Sequence, residues 1–143
     1  MTIANIDIHD DGNVTVSQHM TGKVMSKNIP YASIYARFFN KANRNWSTDP
    51  EINLMFLKCQ ERYATEVLKS KGYLFLNDVY DMLGIPRSKI GQCVGWMYNL
   101  NTRLGDNYVD FGLSADHNRD FIRRVDNIPL LDFNVDGLIL DKI

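Results

Sequence analysis

Glutamate is scarce in this chain. Three of its 17 acidic residues are Glu51, Glu61 and Glu66, and the rest are aspartate. Aspartate favours caps and turns over helix interiors, so the shortage points to many short elements joined by loops. Cysteine is nearly absent as well: Cys59 and Cys93 are too few for a disulfide framework. Three scattered histidines, His9, His19 and His117, lack the clustered spacing of a zinc site; His9 and His117 lie beside aspartates that could poise an acid–base pair or metal site, but read better as surface-turn residues. Both cysteines fall in apolar helical patterns, which predicts buried free thiols. No apolar run approaches the ~18 residues of a membrane helix, and "MTIANIDIHDDG" is polar and strand-like rather than a secretory leader. A cytoplasmic protein is expected. G-x-S-x-G, H-E-x-x-H, P-loop and G-x-G-x-x-G motifs are missing too. With no nucleophile–base pair in view, the sequence predicts no enzyme, no cofactor and no metal centre.

What remains is ordinary in bulk and uneven in detail. A chain of 143 residues with 45% hydrophobic and 23% charged side chains is sized and composed for one globular domain with a real core. Its net charge of −1 hides a split. From Gly12 to Thr48 there is no acid, against Lys23, Lys27, Arg37, Lys41 and Arg44; beyond Gly105, eight aspartates face Arg119, Arg123, Arg124 and Lys142.

The pattern along the chain predicts an α+β domain. Residues 3–18 read as a β-hairpin turning at Asp11-Gly12. Residues 30–43 read as a helix with Pro30 in its first turn and Ile34, Phe38, Tyr31 and Tyr35 along one stripe. The clearest helix runs from Pro50 to Gly72, with Asp49 as cap and Ile52, Met55, Phe56, Cys59, Tyr63 and Val67 spaced to form its core face. A short helix is expected at 77–83, another at 87–94, strands at 96–99 and 107–113, a helix at 116–125 and a last strand at 128–135. The expected whole is an N-terminal hairpin, a helical middle and a small C-terminal antiparallel sheet.

Two stretches suggest binding. In "LNDVYDMLGIPRSKIGQCVGW", Val79, Leu83, Gly84, Ile85, Ile90 and Cys93 fit the apolar and turn positions of a helix-turn-helix unit. Arg87, Ser88, Lys89 and Gln92 would then face a DNA groove. Tyr80 stands where such units want a small residue, and Gly91 and Gly95 weaken an exposed recognition helix, suggesting close packing on that face instead. The second stretch is the acid-free one. There Tyr31, Tyr35, Phe39 and Trp46 interleave with Arg37, Lys41 and Arg44, a mixture suited to a nucleic acid or an acidic protein surface and equally to a helix with a solvated basic face.

"KSKGYLFLNDVYDMLGIPRSKIGQCVGWMY", "GDNYVDFGL" and "LLDFNVDG" together resemble an uncharacterised domain family of phages, prophages and mobile elements of Gram-positive bacteria. The likeness spans about residues 50–138, so residues 1–48 read as a variable basic and aromatic part and 49–143 as the family-like core of one domain. The resemblance brings no residue roles with it. It implies a small protein of the bacterial cytoplasm that works by binding a host effector protein or protein–nucleic acid complex. The leading expectation is an anti-CRISPR inhibitor of a type II (Cas9) nuclease, with Arg37, Phe39, Lys41, Arg44 and Trp46 as the contact residues. The alternatives are a helix-turn-helix DNA-binding regulator using Arg87, Ser88, Lys89 and Gln92, and a virion or assembly accessory protein.

The Asp-rich stretch near the C-terminus has two readings. Asp132, Asn134, Asp136 and Gly137 spell the opening of an EF-hand loop. The bidentate carboxylate due at its twelfth position would be Ile143, and no exit helix is predicted. Alternation accounts for the stretch better, with Leu131, Phe133 and Val135 on one face, Asp132 and Asn134 on the other, and a turn at Asp136-Gly137.

Overall fold

The computed structural model describes residues 3–8, 13–20 and 23–30 as backbone and residues 32–101 and 105–143 in full. The fold is mixed α and β, with an N-terminal three-stranded antiparallel sheet, helices in the middle and small antiparallel sheets toward the end. The chain gathers into two compact units. One takes Met1–Pro50 and Gly112–Asp132; the other takes Glu51–Phe111 and Phe133–Ile143.

In the first unit, β1 (Ile3–Ile8) and β2 (Asn13–Met20) form the expected hairpin, in register from Ile3 opposite His19 to Ile8 opposite Val14. The Asp11-Gly12 turn, His9 and Tyr31 lie outside the described residues. A third strand, β3 (Lys23–Pro30), extends the meander. Pro30 therefore closes a strand and does not open a helix. The helix expected over residues 30–43 is not formed: the chain turns, adds the two-residue strand β4 (Arg37–Phe38), and turns again. Asparagine explains why. Asn40 Oδ1 accepts the Ala42 amide at 2.9 Å and Asn43 Oδ1 accepts the Asn45 amide at 2.8 Å, local bonds that compete with the helical ladder. The buried apolar residues here are Ala32, Ala36 and Phe39, while Ile34 is exposed. β4 pairs with β7 (Leu130–Leu131), and Ala32, Ala36 and Leu130 form a small core with Phe38 against it. A 3-10 turn at Asp116–Asn118 and the single turn of α3 (Arg119–Ile122) stand where the longer 116–125 helix was expected. Asn118 replaces ladder bonds with its side chain: its Nδ2 donates to Gly112 O and Leu130 O, and its Oδ1 accepts the Leu130 amide.

The second unit is built on α1 (Pro50–Lys71), whose ends match expectation. Glu51 suits the positive N-terminus, Lys69 and Lys71 the negative C-terminus. Gly72, at φ +88°, terminates it by donating to Leu68 O at 2.8 Å. Which face is buried does not match. Asn53, Leu54, Leu57, Ala64 and Leu68 are buried, while Ile52, Met55, Cys59 and Tyr63 are exposed. After α1 come β5 (Tyr73–Phe75), α2 (Leu76–Leu83), a 3-10 turn at Ile90–Gln92, β6 (Val94–Met97) and β8 (Gly137–Leu138). The sheet order is β5-β6-β8, antiparallel throughout. Gly95 permits the β5–β6 approach, since a Cβ there would collide with Leu74 O. Tyr80 is fully buried and meets Phe133 edge-on at 5.5 Å, with Phe111 at 5.4 Å on Phe133's ring.

Candidate functional site

The helix-turn-helix reading needs a second helix over residues 87–94, and the structure has none. Gly84, left-handed at φ +78°, ends α2, and Pro86 bars Ile85 from helical geometry. Beyond Pro86 the chain runs as coil, makes one 3-10 turn and enters β6. Arg87 is turned back to form a bidentate pair with Asp81, its Nε 3.0 Å from Oδ1; this contact holds the Asp81 carboxyl below its ordinary range. Ser88 is gripped at both ends by the buried Asn77, whose Oδ1 accepts the Ser88 amide and whose Nδ2 donates to Ser88 O, each at 2.9 Å. Gly91 fits because a Cβ would collide with Asn77 Oδ1. The close packing expected at the two glycines is present, though against an asparagine and a strand and not between helices. Lys89, just before the 3-10 turn, and Gln92, its last residue, are exposed.

The basic and aromatic segment divides in a similar way. Phe39 is wholly buried, so it is a core residue and not a contact residue. The Arg37 guanidinium donates to Ile34 O at 3.0 Å and Ala36 O at 2.8 Å, fastening its own loop. Trp46 donates its indole N–H to Asn127 O at 2.9 Å, and Asn127 Nδ2 returns a bond to Ser47 O at 3.0 Å. Lys41 and Arg44 are the two exposed members of the set. The result is a loop over residues 40–47, braced by the Asn40 and Asn43 turns and by the Trp46–Asn127 pair, that carries two exposed cations.

The Asp-rich motif is structural. Asp132 accepts from the Ser33 hydroxyl at 2.6 Å and the Ser33 amide at 3.2 Å. Asp136 accepts the Met97 amide at 3.0 Å, and partial desolvation beside the Asp106 charge raises its carboxyl above the usual range. Asn134 uses its whole side chain. Its Oδ1 accepts from Trp96 Nε1 at 2.9 Å and the Asp110 amide at 2.7 Å; its Nδ2 donates to Asp106 and to Tyr108 O, both at 3.0 Å. The three would-be calcium ligands thus serve three separate places. The expected alternation holds for Leu131 and Phe133, which are buried, but not for Val135, which is half-exposed like Asn134. Of the strand expected at 128–135 the ladder covers Leu130–Leu131 alone, and Gly137, expected in a turn, opens β8.

Asn134 also explains "GDNYVDFG". The strand expected at 107–113 is not formed: Asn107 is left-handed at φ +63° and Gly112 at φ +73°, and side chains bond the backbone between them in place of a ladder. On one edge Thr65 Oγ1 accepts the Val109 amide at 3.0 Å and Glu61 Oε2 the Phe111 amide at 2.8 Å. Asn134 holds the other edge, and its own amide donates to Asp110 O at 3.2 Å. Burial raises the Glu61 carboxyl above its ordinary range, partly opposed by the Phe111 bond. Beside it, Lys58, Arg62, Glu66 and Tyr108 line a shallow groove of about 350 Å³. A second groove of about 410 Å³ runs past Met97, Asn99, Asp136, Leu138 and Lys142. Among the described residues no three His, Cys, Asp or Glu side chains converge as metal ligands, and no helix is long and apolar enough to cross a membrane. His117, expected at a surface turn, is half-buried with its ring Nε2 3.0 Å from Leu130 O.

Sequence reasoning missed the exposed stripe of α1 and the partner of each clamping asparagine. A signal for the first is present: Leu54, Leu57, Glu61, Ala64 and Leu68 repeat at the same three-to-four spacing as Ile52, Met55, Cys59 and Tyr63. The buried thiol expected at Cys59 is exposed for the same reason, and Cys93 is half-exposed.

The sequence model of a family of unknown function, DUF6353, matches residues 4–143. The chain belongs to that family. Membership takes in the first fifty residues, which lie outside the resembling stretch of residues 50–138. No curated protein and no solved structure matches the chain.

Proposed function

We propose that this member of the family acts by binding a host macromolecule in the bacterial cytoplasm, and that the loop over residues 40–47 is its contact. The observation behind this reading is the bracing of that loop by Trp46 and Asn127, which presents Lys41 and Arg44 from a fixed backbone. Preorganised cations meet an acidic or phosphate-bearing surface with little ordering cost. The partner we favour is a type II effector, a Cas9–guide complex, with the protein serving a phage or mobile element as an anti-CRISPR inhibitor.

Titrating the protein against purified Cas9–guide complex tests it. Co-elution and inhibited DNA cleavage are expected, with the double variant Lys41→Glu, Arg44→Glu binding roughly tenfold or more weakly, as for loss of rim charges facing an oppositely charged surface. Absence of both co-elution and inhibition would sink the inhibitor reading. A salt-sensitive shift of duplex DNA by the protein alone, weakened by Lys89→Ala, would move the assignment to a DNA-binding regulator.

A further inference from the structure

The exposed side of α1 is too apolar for a solvated helix face. Ile52, Met55 and Tyr63 are 52%, 63% and 56% exposed, Cys59 is exposed between them, and Phe56 is half-buried alongside. Such residues recurring every three or four positions make a seam for another helix. We infer that this stripe is a homodimer interface on which α1 of a second copy lies antiparallel.

Three features select that occupant and that direction. First, the stripe complements itself. A two-fold axis at Cys59 sets Cys59 against Cys59 of the second copy, Met55 against its Tyr63, Phe56 against its Arg62 and, at the rim of the seam, Ile52 against the alkyl stem of its Glu66, so that a sulfur and a guanidinium each meet an aromatic ring. Second, the ends carry opposite charges: Glu51 in the first turn, Lys69 and Lys71 in the last. Antiparallel helices bring each acidic end beside a basic one and oppose their macrodipoles; parallel helices would stack Glu51 on Glu51 and lysines on lysines. Third, the length suffices. A 22-residue helix gives a seam ~33 Å long, enough to bury on the order of 1,200 Å² in total, where specific interfaces begin.

The test uses the full chain in reducing buffer. Sedimentation equilibrium from micromolar to millimolar concentration should show a monomer–dimer equilibrium. Met55→Glu or Tyr63→Glu should weaken it roughly 100-fold, since each substitution enters the interface twice. A short bis-maleimide should join two chains through Cys59; Cys59→Ser should abolish that product and Cys93→Ser should not. Direction is read by charge exchange. Lys69→Glu with Lys71→Glu should weaken association about tenfold, and adding Glu51→Lys should restore it. A parallel pair would gain nothing from that third change, so failure of the rescue overturns the antiparallel arrangement. One sedimenting species of a single chain at every concentration overturns the dimer, and assigns the stripe to a different protein. Neither outcome touches the Lys41 and Arg44 reading.

Discussion

The two long faces of α1 differ less in composition than in what they hold. On the buried one, Leu54, Leu57, Ala64 and Leu68 alternate with Glu61 and Thr65, polar residues that accept the amides of Phe111 and Val109. The other face carries Ile52, Met55, Cys59 and Tyr63, and stays exposed. Apolar content alone favours the second. The first is inward because it also supplies two acceptors to a segment that has no strand beside it, and an unmet buried amide costs about as much as a lost side-chain methyl or two. Burial here was decided by hydrogen-bond accounting as much as by hydrophobicity.

Truncating one residue on each face is the bluntest way to break this contrast. Leu57→Ala should cost about 2–5 kcal/mol of stability through a cavity in the core, whereas Met55→Ala should stay within about 0.5 kcal/mol for the monomer. Urea unfolding of both variants in dilute solution measures the difference; equal losses would contradict the assignment of the two faces. The segment gripped by the inward face has its other edge on Asn134, so Asn134→Ala should come next in size, at about 1–3 kcal/mol. It leaves Trp96 Nε1 and the Asp110 amide without their acceptor. Indole fluorescence and amide exchange at 107–111 should report the loosening before global unfolding, and unchanged exchange there would count against the clamp.

The smallest effect concerns Glu61 and pH. Its folded pKa is raised, so the native state prefers the protonated acid. The stability linked to this preference is complete below the unfolded glutamate pKa of about 4.3, and is lost as pH rises through the elevated folded value. Glu61→Gln keeps an acceptor for Phe111 and removes the titration. We expect the variant to be at least as stable as the parent at neutral pH, and its stability to be flatter across that interval. A steeper pH dependence in the variant would reverse the assignment.

The elements most legible in the sequence are those with a local cause. The ends of α1 follow from Pro50, Glu51, the terminal lysines and Gly72, and the β1–β2 hairpin from its alternation. Leu131 and Phe133 are buried, as their alternation predicts, whereas the strand expected at 107–113 is not formed. Illegible are the features whose cause is remote. The chain holds fourteen asparagines, and the clamping ones act on partners far away: Asn134 reaches Trp96, 38 residues off, and Asn118 binds Leu130. Periodicity cannot register a side-chain amide standing in for a strand. Nor can it separate two stripes of one period on α1. Of the residues expected to bind, Lys41, Arg44, Lys89 and Gln92 are exposed. Arg37, Arg87 and Trp46 bond within the chain, and Phe39 belongs to the core.

Ser33 and Asp132 are joined across 99 positions, and β4 closes on β7 over a similar span. A ribosome adding roughly 5–20 residues per second needs about 5–20 s to cover that distance. Throughout this delay the first fifty residues have no β7 to close against, while α1, β5, α2 and β6 are made in one continuous run. The second unit can therefore begin to form while the first fifty residues still wait, although Phe133, Asn134 and β8 reach it only after β7 has been made. The Trp46–Asn127 brace of the Lys41–Arg44 loop closes only near the end of synthesis.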